Sequence, residues 1–372
     1  VGTPVDYVAP SFALQDITKL PKYRSINTKE HGARFWWVEY GGSLDTIHDS
    51  ETIKWELWKI VYGIWNYIKN SGEFPDARNL TLEWVGTIPG KRESRRFEGD
   101  YILKQSDLVE RRVFDDAVSY GGWAIDLHPE DAIYKDLPSC NQWHSKGSYH
   151  IPYRCFYSRN IENLFLAGRI ISASHVAFGS TRVMATCAHG GQVVGMAAAH
   201  CVAGGLHPRD LLESARMKDL QTALNREGQA IPGVPMEEAG NLVSSARIEA
   251  SSCDRLDTIP FDGGPWYSLE HAAAQLLPLK CGVAYQFEIE VESDSEATLE
   301  IKLSTSLDSR NYTPDRLIES LAKPLQIGIQ KVVFEFSGLL EENHYAQLSF
   351  HAKASVRIRL SNRLQSGTIS VF

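Results

Sequence analysis

No stretch of this 372-residue chain approaches the about 20 consecutive apolar residues that a membrane-spanning helix needs. Even the apolar run 193–202 is interrupted by Gly195 and His200. Cysteine is sparse and scattered, at Cys140, Cys155, Cys187, Cys201, Cys253 and Cys281, and never as C-x-x-C. That spacing argues against a zinc knuckle or a dithiol redox pair and leaves isolated buried thiols as the expectation. Basic charge is in the minority, 38 Lys and Arg against 46 Asp and Glu, for a net charge of −8. A nucleic-acid partner would require a concentrated basic surface, and the short run 91–96 is too local to supply one. Also missing is any G-x-G-x-x-G turn, the usual phosphate cradle of a dinucleotide site. Residues 190–195, GGQVVG, have the wrong spacing and lie inside a helical pattern.

What is present suits a globular protein of two domains: 43% hydrophobic and 23% charged residues over 372 positions. In residues 50–71 the apolar side chains Ile53, Trp55, Leu57, Ile60, Val61, Ile64 and Ile68 recur at helical spacing. The pattern predicts an amphipathic helix whose Trp stripe packs on a core. Residues 35–40, 80–85 and 117–127 read as strands, and 208–225 as a helix. Pro232, Gly233 and Pro235 punctuate a linker over 228–240. The expected organisation is a first domain over 1–205, a helical connector and linker over 206–245, and a second domain over 246–372. In the last, Phe287, Ile289 and Val291 alternate with Glu288, Glu290 and Glu292, the period of a half-buried strand. Strands are expected at 247–250, 285–292, 298–303, 331–336, 344–351 and 355–360, which together suggest an antiparallel β-sandwich. The aromatic turn 262–267, DGGPWY, is read as a packed turn, with a sugar-stacking platform as the alternative.

Residues 163–205 carry the densest pattern: a short strand over 164–167, a Ser/Thr-rich loop over 172–186, then a Gly- and Ala-rich helix over 186–202. Thr186 is the expected cap and Gly204–Gly205 the stop. Gly190, Gly191 and Gly195 each cost a helix about 1 kcal/mol relative to Ala. Such a cost makes sense where a backbone or ligand comes unusually close, and a free helix start suits an electron-rich ligand.

The motif AGR…SxxHxAxGSxRVMxTCxxxGQxxGxAAA in that stretch resembles the carboxy-terminal part of FAD-dependent oxidoreductases, a family with many bacterial members. Arg34-Phe35-Trp36-Trp37, Gly41-Gly42-Ser43-Leu44-Asp45, Arg92-Glu93-Ser94-Arg95-Arg96, Gly99-Asp100-Tyr101 and Tyr149-His150-Ile151-Pro152-Tyr153-Arg154 match in the same order. The resemblance covers about residues 1–205. It implies an α+β chain: a flavoprotein substrate domain with the last strand and helix of an FAD-binding α/β domain, followed by the antiparallel β-sandwich. Without a G-x-G-x-x-G turn, the chain is expected to be the downstream part of a larger flavoprotein. Its missing amino-terminal half would then be a partner that FAD binding needs, and the fragment alone would be inactive.

The resemblance implies FAD as cofactor, and hydride transfer to it from a small organic or carbohydrate-like substrate. The helix starting near Thr186 would aim its N–H groups at the flavin, with Gly190, Gly191 and Gln192 closest. Gly168 and Arg169 would meet the ribityl chain or pyrophosphate, and Ser180 lies in the intervening loop. For the chemistry the candidates are His175 as a base near neutral pH, Arg182 as a substrate or flavin contact, and Arg95 within an ion-pair network formed by the run 92–96. His189 ranks below His175. Asp126 and His128 form a second acid–base candidate; no third ligand accompanies them, and no metal site is expected. A polysaccharide-binding or lyase-type role for the sandwich is the alternative, on fold analogy. The compartment is open, with a periplasmic or secreted location the expectation that an appended sandwich raises.

Overall fold

The computed structural model describes residues 2–372 apart from 30–34, 36, 145, 237–240, 252–258, 260, 309–312, 343, 354, 364 and 366. Arg34, Trp36 and Cys253 therefore lie outside the described residues. The chain divides into two compact units, Val1–Glu237 and Glu238–Phe372.

The first unit opens with irregular chain and the helix α1, Ser50–Asn70. Its buried stripe is Ile53, Ile60, Gly63, Ile64 and Ile68, whereas Trp55 is half exposed. The expected Trp stripe thus lies at the margin of this core, and the isoleucines fill it. Gly63 is needed here, because a Cβ would stand 2.6 Å from the Leu14 carbonyl oxygen. No strand forms at described positions of 35–40 or at 80–85. Trp84 in the latter is 78% exposed, and no described strand pairs with that segment.

A second core surrounds β1 (Ala117–Gly121), paired antiparallel with β4 (Tyr149–Pro152). Two shorter strands, β2 (Ile125–Leu127) and β3 (Asn141–Trp143), pair beside them, so the expected strand over 117–127 is broken at residues 122–124. The short helix α2, Gln105–Val109, precedes β1. Residues 164–167 form no strand; Phe165 makes a single antiparallel bridge to Tyr157.

The expected loop over 172–186 is instead largely the helix α3, His175–Thr181, capped by Ser174, whose Oγ accepts from the Ala177 N–H. Then follows α4, Met184–Gly204, which starts two residues before Thr186 because Met and Ala extend a helix readily. It ends as expected, at Gly205 with φ +60°. Residues 206–226, read as a connector, pack into this same core through α5, Ser214–Arg226, which buries Met217, Leu220 and Leu224. Gln221 Nε2 donates to the carbonyls of Asp115 and Ala117, and Gln229 Nε2 to that of Val118. These bonds satisfy backbone acceptors in β1 and just before it.

The second unit is a sandwich of two antiparallel sheets. The four-stranded sheet runs β10 (Gly328–Phe336), β7 (Tyr285–Ser293), β12 (Val356–Arg359), β5 (Trp266–Ser268). The five-stranded one runs β13 (Ile369–Val371), β6 (Ala273–Leu279), β11 (His344–Ala352), β8 (Ala297–Thr305), β9 (Arg316–Leu325). Val291, Leu299, Ile301, Phe334, Leu348 and Val356 fill the core between them. Alternation fixes the register, since a one-residue slip would turn every one of these outward. The strand expected at 247–250 is absent. Turn 262–267 is packed: a Cβ on Gly264 would stand 2.1 Å from the Leu360 carbonyl oxygen, and Arg359 covers the Trp266 ring at 4.6 Å.

Candidate functional site

The run 91–96 is tied to several elements of the first unit. Arg169, in the turn of 3-10 helix Gly168–Ile170, donates from Nη1 to the carbonyls of Lys91 and Arg92 at 2.8 and 3.0 Å. Glu93 pairs with Arg96 and accepts from His175 Nδ1 at 2.8 Å, so the first residue of α3 is held to the run. With Nδ1–H directed at Glu93, the Nε2 lone pair of a 64% exposed side chain is left facing solvent.

Arg92 enters a tighter group. It pairs with Glu39, and its guanidinium nitrogens lie 3.2 and 3.4 Å from the two ring nitrogens of His128. His128 Nδ1 also stands 2.8 Å from Glu39 Oε2, and Nε2 3.2 Å from Asp126 Oδ2. Asp126 in turn accepts from Arg182 at 2.9 Å. Two carboxylates and two guanidiniums already balance, so a protonated imidazole would be a surplus charge in a half-buried place. Accordingly burial and then Arg92 push the His128 pKa below its ordinary value, with Asp126 partly opposing them. Burial, and then Asp126, push the nearby Cys140 thiol up, which keeps it protonated. Neutral His128 donates to one of the two carboxylates, and its unprotonated nitrogen accepts from Arg92.

Of the candidate residues, Arg182 and His175 are thus engaged in the network, Arg182 ending α3 and His175 beginning it. Arg95 is exposed and bonds no described residue; Arg92 takes the place in the network expected of Arg95. Ser180 is buried, with Oγ 2.6 Å from both the Tyr149 hydroxyl and the Trp123 carbonyl, and serves the core. Tyr153 and Arg154 are likewise structural, bonded to Pro208 and Asp116. His189 Nδ1 meets Ser119 Oγ at 2.8 Å. Glu39 and Cys140 were not legible as members, since no local pattern marks a residue whose partners are 89 positions away.

Two residues after Arg182, α4 begins at Met184 with no side-chain cap on Val183. Its first bond runs from the Cys187 N–H to the Val183 carbonyl, leaving the N–H groups of Met184, Ala185 and Thr186 without intrahelical acceptors. Thr186 therefore sits in the first turn and caps nothing. Along this helix Gly190 packs on Phe156, whose Cε1 would be 2.7 Å from an added Cβ. Gly191 and Gly195 have nothing within 4 Å of that position, and Gln192 is exposed. Close packing thus explains Gly190 and leaves the other two glycines facing open space. Gly168 adopts φ +68°.

An α+β unit whose charged cluster adjoins the bare amino-terminal end of a Gly-rich helix has the parts of a site for an electron-rich cofactor. The FAD dependent oxidoreductase family model matches residues 3–224, more than half of the chain. The chain belongs to that family, an oxidoreductase family with FAD as cofactor. No curated protein matches it. Among solved structures it is similar to one described as "CBM4 structure and function" at 17% identity and TM-score 0.20, covering 23% of this chain and 55% of that one. Another, "BiXyn10A CBM1 APO", is similar at 16% identity and TM-score 0.16, covering 24% and 60%. The chain thus spans less than two thirds of either, and likeness this slight carries no argument.

The residues present fit such a group in three respects: the uncapped start of α4, the open side of Gly191, and Thr181 Oγ1, buried without a partner beside Arg182. Among the described residues no group of three or more His, Cys, Asp or Glu could hold a metal ion, and no helix is long and apolar enough to cross a membrane.

Proposed function

We propose that this chain carries the substrate-side chemistry of an FAD-dependent oxidoreductase, taking hydride from a small organic substrate. Bound FAD supplies the hydride acceptor. The start of α4, with Thr186, Gly191 and Gln192, offers N–H groups and a bare backbone to it, while Gly168 and Arg169 face its ribityl or phosphate part. Ser180 and Gly190 seat the helices that present these groups.

The observation that carries the reading is the bond from His175 to Glu93. It fixes the tautomer so that His175 Nε2 accepts a proton from a substrate hydroxyl or amine, while Arg95 supplies positive charge for a substrate carboxylate and Arg182, balanced by Asp126, holds the cluster beside it. The domain assignment follows: residues 1–205 do this work, and the sandwich is an accessory.

Incubation with FAD, desalting and a visible absorption spectrum test the reading. Retained flavin bands that weaken in Gly191→Val support it. A bare protein spectrum at every FAD concentration would sink the assignment of these residues as a cofactor seat in this chain.

A further inference from the structure

One cavity of the first unit is lined by residues outside α4. It measures about 990 Å³ and is lined by Lys22, Arg24, Ser25, Ile26, Trp37 and Ser139 among others, none of them an acid. In a protein of net charge −8, a cavity with two cations and no carboxylate among its described lining residues is a marked local inversion. Lys22 Nζ spends one of its three donors on Ser139 Oγ at 3.1 Å, and Arg24 donates from Nε to the neighbouring Tyr23 hydroxyl. No carboxylate comes within ion-pair distance of either among the described residues, although Lys22 feels Asp136 and the exposed Arg24 feels Glu73 from farther off. Burial pushes the Lys22 pKa down, the direction expected of an ammonium awaiting a counter-charge.

A second, independent feature points the same way. Trp37 is only 3% exposed, yet its indole N–H finds no acceptor. Buried donors are paired as a rule, and one left over marks a missing partner. Lys22 and Arg24 therefore keep donors to spare, and Trp37 has one without an acceptor, beside apolar surface from Ile26 and the indole ring. Volume and lining are those of a small-molecule pocket.

We propose that this cavity binds an organic anion, a carboxylate with an apolar body, whose oxygens take the Lys22, Arg24 and Trp37 donors. The inference is independent of the flavin reading and needs no cofactor.

The test uses the full chain and benzoate as probe, followed through the indole N–H signals of its nine tryptophans. The signal lost in Trp37→Phe identifies Trp37, and the other eight, unmoved, show that the variant is folded. Saturable displacement of that signal by benzoate is expected, with affinity falling about tenfold in Lys22→Gln and in Arg24→Gln, the worth of one charge-assisted hydrogen bond. Benzyl alcohol should leave the signal in place. Equal response to benzyl alcohol, or unchanged benzoate affinity in both variants, would overturn the proposal. Inorganic phosphate binding as tightly as benzoate would overturn the requirement for an apolar body.

Discussion

Arg182 Nη2 and Asp126 Oδ2 meet at 2.9 Å with side chains only 14% and 13% exposed, across 56 positions of sequence. The pair joins the end of α3 to β2 and places the charged cluster beside the start of α4. Removing one member strands the other. Asp126→Asn should cost about 3 kcal/mol, the usual penalty for an uncompensated buried charge, and Asp126→Asn with Arg182→Gln should recover part of it. Urea unfolding of these two variants and of Arg182→Gln alone measures the coupling; additive losses would show the two side chains to be independent.

Adjacent glycines in α4 should behave oppositely. Gly190→Ala drives a Cβ to within 2.7 Å of Phe156 and should destabilise by about 1–3 kcal/mol. Gly191→Ala enters open space and should stabilise the helix by about 1 kcal/mol. If FAD lies where proposed, Gly191→Ala also weakens its uptake, so stability and cofactor binding part company in one variant. Thermal melts and flavin retention together read both effects.

Burial holds the His189 pKa below its ordinary 6.5, where the ring packs edge-on against Tyr120 at 4.8 Å. The unfolded chain then binds the proton more readily than the folded one. Stability from this group is complete above the ordinary pKa and is lost as pH falls through the lower folded value. Denaturation midpoints should drop between pH 7 and about pH 5, and His189→Gln should flatten part of that slope. His128 acts in the same sense, so some slope remains.

In the sandwich, Gly264→Ala should fail to close the turn, because the added methyl meets the Leu360 carbonyl at 2.1 Å. The expected loss is about 2–4 kcal/mol. Hydrogen exchange in β5 and β12, which pair through Trp266↔Arg359, should quicken. Unaltered protection there would mean the turn yields without strain.

The structure brings the candidate residues together unevenly, for a physical reason. His175 and Arg182 stand in a contiguous motif and appear together at the two ends of α3, which the Ser174 cap and Arg182 delimit. Arg95 and Arg92 share one charge run, and only the direction of the chain at that point decided which turned towards Glu39. Strands β6 and β9 escaped notice because each carries a proline and lacks clean alternation. Pro278 is tolerated because it lies beyond the 274–276 stretch where β13 pairs, and Pro324 because β9 is an edge strand paired only to β8.

By itself the sequence determined what depends on neighbours along the chain: the apolar stripe of α1, the glycine stop of α4, the alternation of β7, and the ordered motifs of an FAD-dependent oxidoreductase. Tertiary structure alone decided that Glu39, Arg92, Asp126, His128 and Arg182 form one neutral cluster, and that Lys22, Arg24 and Trp37 line one cavity. Periodicity is a local property, readable over a few turns. Charge balance and unsatisfied donors belong to groups brought together from distant positions, and no pattern of spacing encodes which of them will meet.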